Sequence, residues 1–160
     1  MLLAYRLVRL IETNSTQLAE GALERLKNCS KTESFRDVPA EEFKQRVQEI
    51  YTALGEWLLG KTEAEIERRY VEIGMRRAAQ GVPLSQLLWA ISLAKHYLLD
   101  YLASEGIVEK TVEVVGELEV LQLLEQFFDR ATYYAAIGYE GSHASLEAKT
   151  AAAGRAVSHS

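Results

Sequence analysis

Proline is almost absent from this chain, with two in 160 residues, and glycine is sparse at ten. A β-sandwich or barrel needs many more turn signals than these supply. A single cysteine, Cys29, excludes an intrachain disulfide framework and a cysteine zinc cluster. A basic surplus is missing too: 18 Lys and Arg stand against 23 Asp and Glu, a net charge of −5, which argues against a general nucleic-acid binder. No apolar run reaches the roughly 18 residues that a membrane span needs. Arg6 and Arg9 follow Met1 too soon for a signal peptide. What is present is ordinary: 48% apolar and 26% charged residues, at a length that suits one domain with one core. These absences and contents together predict a soluble, cytoplasmic helical domain with neither nucleic acid nor membrane among its partners.

Apolar residues at three- and four-residue steps mark the helices. Leu3, Leu7, Leu10, Ile11, Leu18, Ala22, Leu23 and Leu26 form the first stripe, with a kink or break at Asn14-Ser15-Thr16. The polar stretch from Asn28 to Val38 reads as a loop. Pro39, Glu41 and Glu42 suit the first turn of a second helix, which carries Phe43, Val47, Ile50, Tyr51, Leu54, Leu58 and Leu59 and stops at Gly60. Thr62-Glu63-Ala64-Glu65 resembles a capping box opening a third helix that ends at Gly81. Pro83 opens a fourth helix, Leu84 to about Ser104, with Gly106 as its stop. A last helix runs from near Val112 to about Tyr139, and residues 141–160 are small and polar, as in a flexible tail or linker. The class is all-α, with five helices, or six if the first one breaks.

Two helices carry more apolar surface than a solvent-facing helix needs. On the fourth, Leu84, Leu87, Leu88, Ile91, Leu98, Leu99 and Leu102 share a face that includes Lys95, while Trp89, Leu93, His96 and Asp100 lie opposite. A helix apolar on both sides is covered on both sides, at the centre of a bundle or at a subunit interface. On the last helix, Val120, Leu124, Phe127, Ala131, Tyr134 and Gly138 alternate at steps of four and three. That is the spacing of a seam that pairs with a twin helix in a dimer, or packs across its own bundle.

Catalytic and metal chemistry find little support. His143 and His159 fall in the tail, leaving His96 with Asp100 four residues on. A haem or small-ligand contact oriented by Asp100 is one reading. A packed or partly exposed histidine bonded to Asp100 is the other, and a lone histidine is a weak metal signal. Lys95 is either an anion ligand or a lysine whose stem lies on the core with its ammonium in water. The carboxylate pairs Glu63/Glu67, Glu113/Glu117 and Glu41/Glu42 sit on solvated faces, and no Glu-x-x-His pair exists to build a di-iron site. Glycine-rich phosphate loops are absent. Ser30, Ser34 and Ser85 have no histidine nearby in sequence. Arg68, Arg69, Arg76 and Arg77 interleave with Glu63, Glu65, Glu67 and Glu72, which reads as a salt-bridge-laced solvated face in preference to an anion site.

The stretch from Arg69 to Leu88, RYVEIGMRRAAQGVPLSQLL, resembles the N-terminal sensor domains of stressosome co-antagonist (RsbR-type) proteins and of some bacterial histidine kinases. The Gly81-Val82-Pro83-Leu84 turn after Ile73-Gly74-Met75-Arg76-Arg77 carries most of the likeness. The same stretch is similar to globin-coupled sensors, in which the proximal haem histidine stands where this chain has Arg77. The resemblance implies a globin-like bundle without haem, pairing through the terminal helices, a sensory role, and a downstream output domain of kinase or STAS type. On that basis residues 1–140 form the sensor domain and 141–160 the tail or linker. The expected function is a non-enzymatic, dimeric input domain that passes a signal through its last helix, with no cofactor and no metal. Two alternatives stand beside it: a haem-type gas or redox sensor using His96, and a ligand-free dimeric scaffold. The expected interface is Val120, Leu124, Phe127, Ala131 and Tyr134, and the expected site for an unknown small ligand is Trp89, Leu93, His96 and Tyr97.

Overall fold

The periodicities resolve into helices at nearly the expected places. The computed structural model describes residues 2–60, 63–104 and 111–158, with nothing said of the side chains of 2–3, 111–117, 143 and 156–158. Its elements are α1 (Leu2–Thr13), α2 (Ser15–Lys27), a 3-10 segment (Ser30–Asp37), α3 (Ala40–Leu58), α4 (Glu63–Ala79), α5 (Leu84–Ser104) and α6 (Thr111–Ser158). No strand occurs among the described residues, and no described helix is long and apolar enough to cross a membrane. The all-α class and the long terminal helix are as expected. Part of the capping box (Thr62), the helix stop Gly106, the pair Glu113/Glu117, and His143 and His159 lie outside what is described.

Local chemistry sets the breaks. Asn14 turns its side-chain amide back onto the Leu10 carbonyl at 2.9 Å instead of capping α2, so the chain bends there and α1 and α2 part. Gly60 and Gly81 take positive φ of 98° and 75°, the left-handed residues that end α3 and α4. At the second, Val82 N–H donates to the Arg77 carbonyl at 3.1 Å and Gly81 N–H to Ala78 at 3.0 Å. This is the paired closure of a Schellman cap, with Val82 buried as its apolar plug.

Residues 28–38 are not a plain loop. Thr32, fully buried, donates its hydroxyl to the Leu26 carbonyl at 2.7 Å. Ser34 donates through its N–H to Gln86 Oε1 on α5 at 2.9 Å, and its hydroxyl reaches the same oxygen. Phe35 drops into the core against the edge of Phe43, with ring centroids 5.5 Å apart. One aromatic anchor and three side-chain hydrogen bonds hold a segment whose composition is polar.

The core runs through the whole bundle, with Leu7, Ile11, Leu18, Leu26, Tyr51, Leu54, Tyr70, Leu98, Leu124 and Phe127 almost fully enclosed. α6 is the element against which α4 lies along its length, and α1, α3 and α5 also touch it. α6 does not stop near Tyr139 but continues as helix to Ser158, with residues 144–155 exposed. The alanines and the charged residues of that stretch are good helix formers, so small and polar composition did not mean irregular backbone.

Candidate functional site

α4 and α6 cross with their backbones in near contact. A Cβ on Gly74 would stand 2.0 Å from the Ala135 carbonyl oxygen, and one on Gly138 would stand 2.0 Å from the Val71 carbonyl oxygen. No side chain fits between them, so the two helices are fixed in register at that point. Tyr139 adds a hydroxyl donated to the Val82 carbonyl at 2.7 Å, just past the end of α4. Arg130 pairs with Glu63 at 3.2 Å, and Tyr134 donates to the same carboxylate at 3.0 Å.

Beside this crossing lies a cleft in two lobes. The inner lobe has a cavity volume of ≈ 40 Å³ and is walled by apolar side chains such as Phe35, Phe43 and Ile91 together with Arg46, Arg76 and Arg77. The outer lobe, ≈ 60 Å³, adds Glu49, Arg69 and Glu72. Arg46, Ile50, Tyr70, Ile73 and Arg76 line both lobes. Tyr70, Ile73 and Arg77 reach the cleft because spacings of three and four put them on one face of α4.

The arginines divide by burial. Arg68 pairs with Glu65 at 2.9 Å, Arg76 with Glu72 at 2.9 Å and Arg69 with Glu56 at 3.6 Å, the laced surface that interleaved charges predict. Arg77 departs from it. It is only 3% exposed, it donates to the neutral Gln80 amide oxygen at 2.6 Å, and its guanidinium lies 5.7 Å from the Phe35 ring centre. Burial pushes its proton affinity below the ordinary arginine value, with the Glu42 charge opposing that shift. The sequence signal that could have found it is its place one turn before the Gly81 cap, on the inward side shared with Tyr70 and Gly74.

The four α5 residues expected to form a ligand site are not brought together there. None of Trp89, Leu93, His96 and Tyr97 lines either lobe. Trp89 is covered by the Lys31 ammonium, 4.1 Å from its ring centre, and Tyr97 packs under Arg25 at 4.8 Å and against Gly21. Leu93 packs partly buried against the core. His96 is exposed, its Nδ1 3.3 Å from the Ser92 hydroxyl. Asp100 does not orient it: that carboxylate accepts from Arg25 at 2.8 Å, because α2 lies against α5 and brings a stronger cationic donor. Lys95 pairs with Glu125 of α6 at 3.2 Å.

Of the residues expected at a dimer seam, Val120, Leu124, Phe127 and Ala131 are 8%, 1%, 0% and 0% exposed inside the single chain. The Phe127 ring meets Tyr70 of α4 edge-on at 5.9 Å. Tyr134 is half-buried against Glu63. A second copy cannot reach the four enclosed residues without opening the bundle. Among the described residues, the large apolar side chains that α6 presents to solvent are Leu118, Tyr133, Ile137 and Leu146.

The chain is thus an all-α domain in which α4 both walls a cleft and is locked to the long helix α6. Its family follows from comparison: residues 16–153 match the family described as RsbT co-antagonist protein rsbRD N-terminal domain, and the chain belongs to that family. No curated protein and no solved structure matches the chain.

Proposed function

We propose that this chain is the sensory input domain of a stressosome-type signalling protein, non-enzymatic, and that it passes its signal along α6. The observation that carries the reading is the Gly74–Gly138 crossing. α4 walls the cleft through Tyr70, Ile73 and Arg77, and the same helix is in backbone contact with α6. Any shift of α4 in response to the cleft therefore moves α6, whose last turns are exposed and lead toward an output domain of STAS or kinase type. Family membership supports the sensory role.

Hydrogen exchange tests the relay without any ligand. Gly74→Ala forces the two backbones apart, so amides on both sides of the crossing, in α4 and in α6 near Tyr139, should lose protection together. Loss confined to α4 would sink the coupling. The reading includes a homodimer, and the exposed Tyr133 and Ile137, one turn apart on α6, are the surface for it. Tyr133→Lys with Ile137→Glu should turn a dimer into a folded monomer by light scattering. Charging Phe127, enclosed in the chain's own core, should unfold the protein instead.

The haem reading through His96 has no geometric support, since that ring is exposed and lines neither lobe. An absorbance titration with hemin should give no Soret band that depends on His96.

A further inference from the structure

The cleft holds more hydrogen-bond donors than the fold satisfies. Arg77 is 97% enclosed, given its 3% exposure, yet among the described residues it forms no ion pair, and its described partner is the neutral Gln80 amide. Arg46 binds both Glu49 carboxylate oxygens through Nη1 at 3.1 Å, but its Nε is buried with no partner. The Tyr70 hydroxyl, on a residue 1% exposed, is likewise buried with no partner. Arg46 and Tyr70 line both lobes, and Arg77 lines the inner one.

The chemistry of these groups restricts what can enter. Guanidinium nitrogens donate and never accept, so they exclude a metal ion and call for an acceptor, best an anionic one. The carboxylates that line the cleft, Glu49 and Glu72, already engage Arg46 and Arg76 on the outer side, and Glu42, whose charge acts on Arg77, makes no ion pair with it among the described residues. The inner walls are Phe35, Phe43, Leu87 and Ile91, which offer no polar partner and suit an apolar body. Arg76 and Arg69, which also line the cleft, are already paired with Glu72 and Glu56, so a heavily charged phosphate compound finds no second set of unpaired donors.

We propose that the inner lobe binds a small carboxylate with a short apolar body, such as acetate or propionate. Its carboxylate lies on Arg77 and the free Nε of Arg46, and its body lies between Phe35, Phe43 and Ile91. The Tyr70 hydroxyl is a further donor in the same cleft. This goes beyond the sensory reading and does not depend on it, because binding is measured on the chain alone.

Acetate and propionate are the probes, with ethanol, propanol and inorganic phosphate as comparisons, read by calorimetry and by thermal unfolding in low-chloride buffer. Both acids should bind and raise Tm with concentration. The alcohols should bind about ten-fold more weakly or worse, as loss of a charge-assisted contact implies. Arg77→Met should remove that preference for the acids. Arg46→Met, at a partly exposed residue, provides the same test if Arg77→Met does not fold. Equal affinity for acid and alcohol, unchanged acid affinity in folded Arg46→Met, phosphate binding as tight as the acids, or no binding at all would each overturn the proposal. The α4–α6 relay would survive such a failure, since its exchange test uses no ligand.

Discussion

Two enclosed tyrosines separate what a hydrogen bond contributes from what burial contributes. Tyr51 donates to the Ala94 carbonyl at 3.0 Å, whereas the Tyr70 hydroxyl has no partner. Tyr51→Phe should therefore cost about 1 kcal/mol, and Tyr70→Phe should be neutral or stabilising, as urea midpoints at neutral pH would show. Burial pushes both phenols above the ordinary tyrosine range. Raised values in the folded state mean that their contribution is intact below the unfolded value of about 10 and is lost as pH rises beyond it. Unfolding midpoints should fall between pH 9 and pH 11, and fall less in the double phenylalanine variant. Glycines allow a similar contrast. Gly138→Ala gains about 1 kcal/mol of helix propensity but drives a Cβ into the Val71 backbone, which cannot retreat as a flexible side chain would. Overpacking of about 1–3 kcal/mol wins, and the variant should be less stable. Gly141→Ala, in the same helix with nothing near, should gain about 0.5–1 kcal/mol.

At the scale of elements, the 3-10 segment shows what a sequence pattern hides. Ser30–Asp37 holds one large apolar residue, so no period announces it, yet Phe35 is 5% exposed and walls the cleft. Phe35→Ala should cost about 3–5 kcal/mol in denaturant unfolding, a core penalty from a polar segment. A change below about 1 kcal/mol would show that the segment does not close the bundle. The longer helices were legible because stripes at 3.6-residue period last for several turns, and Asn14, Gly60 and Gly81 punctuate them by chemistry that is local in sequence. The cleft was not legible. Period says that a face is covered but not by which element, so the α6 seam reads equally as a dimer contact or as the bed for α4. Arg77 escaped for the same reason: among interleaved glutamates it looks solvated, and only its phase with Tyr70 and Gly74 turns it inward.

For the whole molecule, the decisive asymmetry is between the covered and the bare parts of α6. Up to Tyr139 the helix is held by α4, by the Trp57 indole donating to the Leu123 carbonyl at 3.2 Å, and by the pairs at Glu63 and Glu125. Residues 144–155 are exposed, with Leu146 at 43%. From Ala144 to Ser158 the helix projects on the order of 22 Å at 1.5 Å per residue. An exposed helical stretch of this length is marginal in water, and the alanines at 151–153 favour it by propensity. Its amides should thus exchange close to the unprotected rate, while those from Val120 to Tyr139 exchange only with the bundle. Hydrogen exchange on the isolated chain checks this, and equal protection on both sides of Tyr139 would mean that a second copy already covers the projecting turns. Unequal protection makes α6 a rod anchored at one end and marginal at the other. In the proposed relay, a shift at the Gly74–Gly138 crossing travels past Tyr139 only when a partner completes the helix, so docking of that partner should protect residues 144–155 before it alters the bundle.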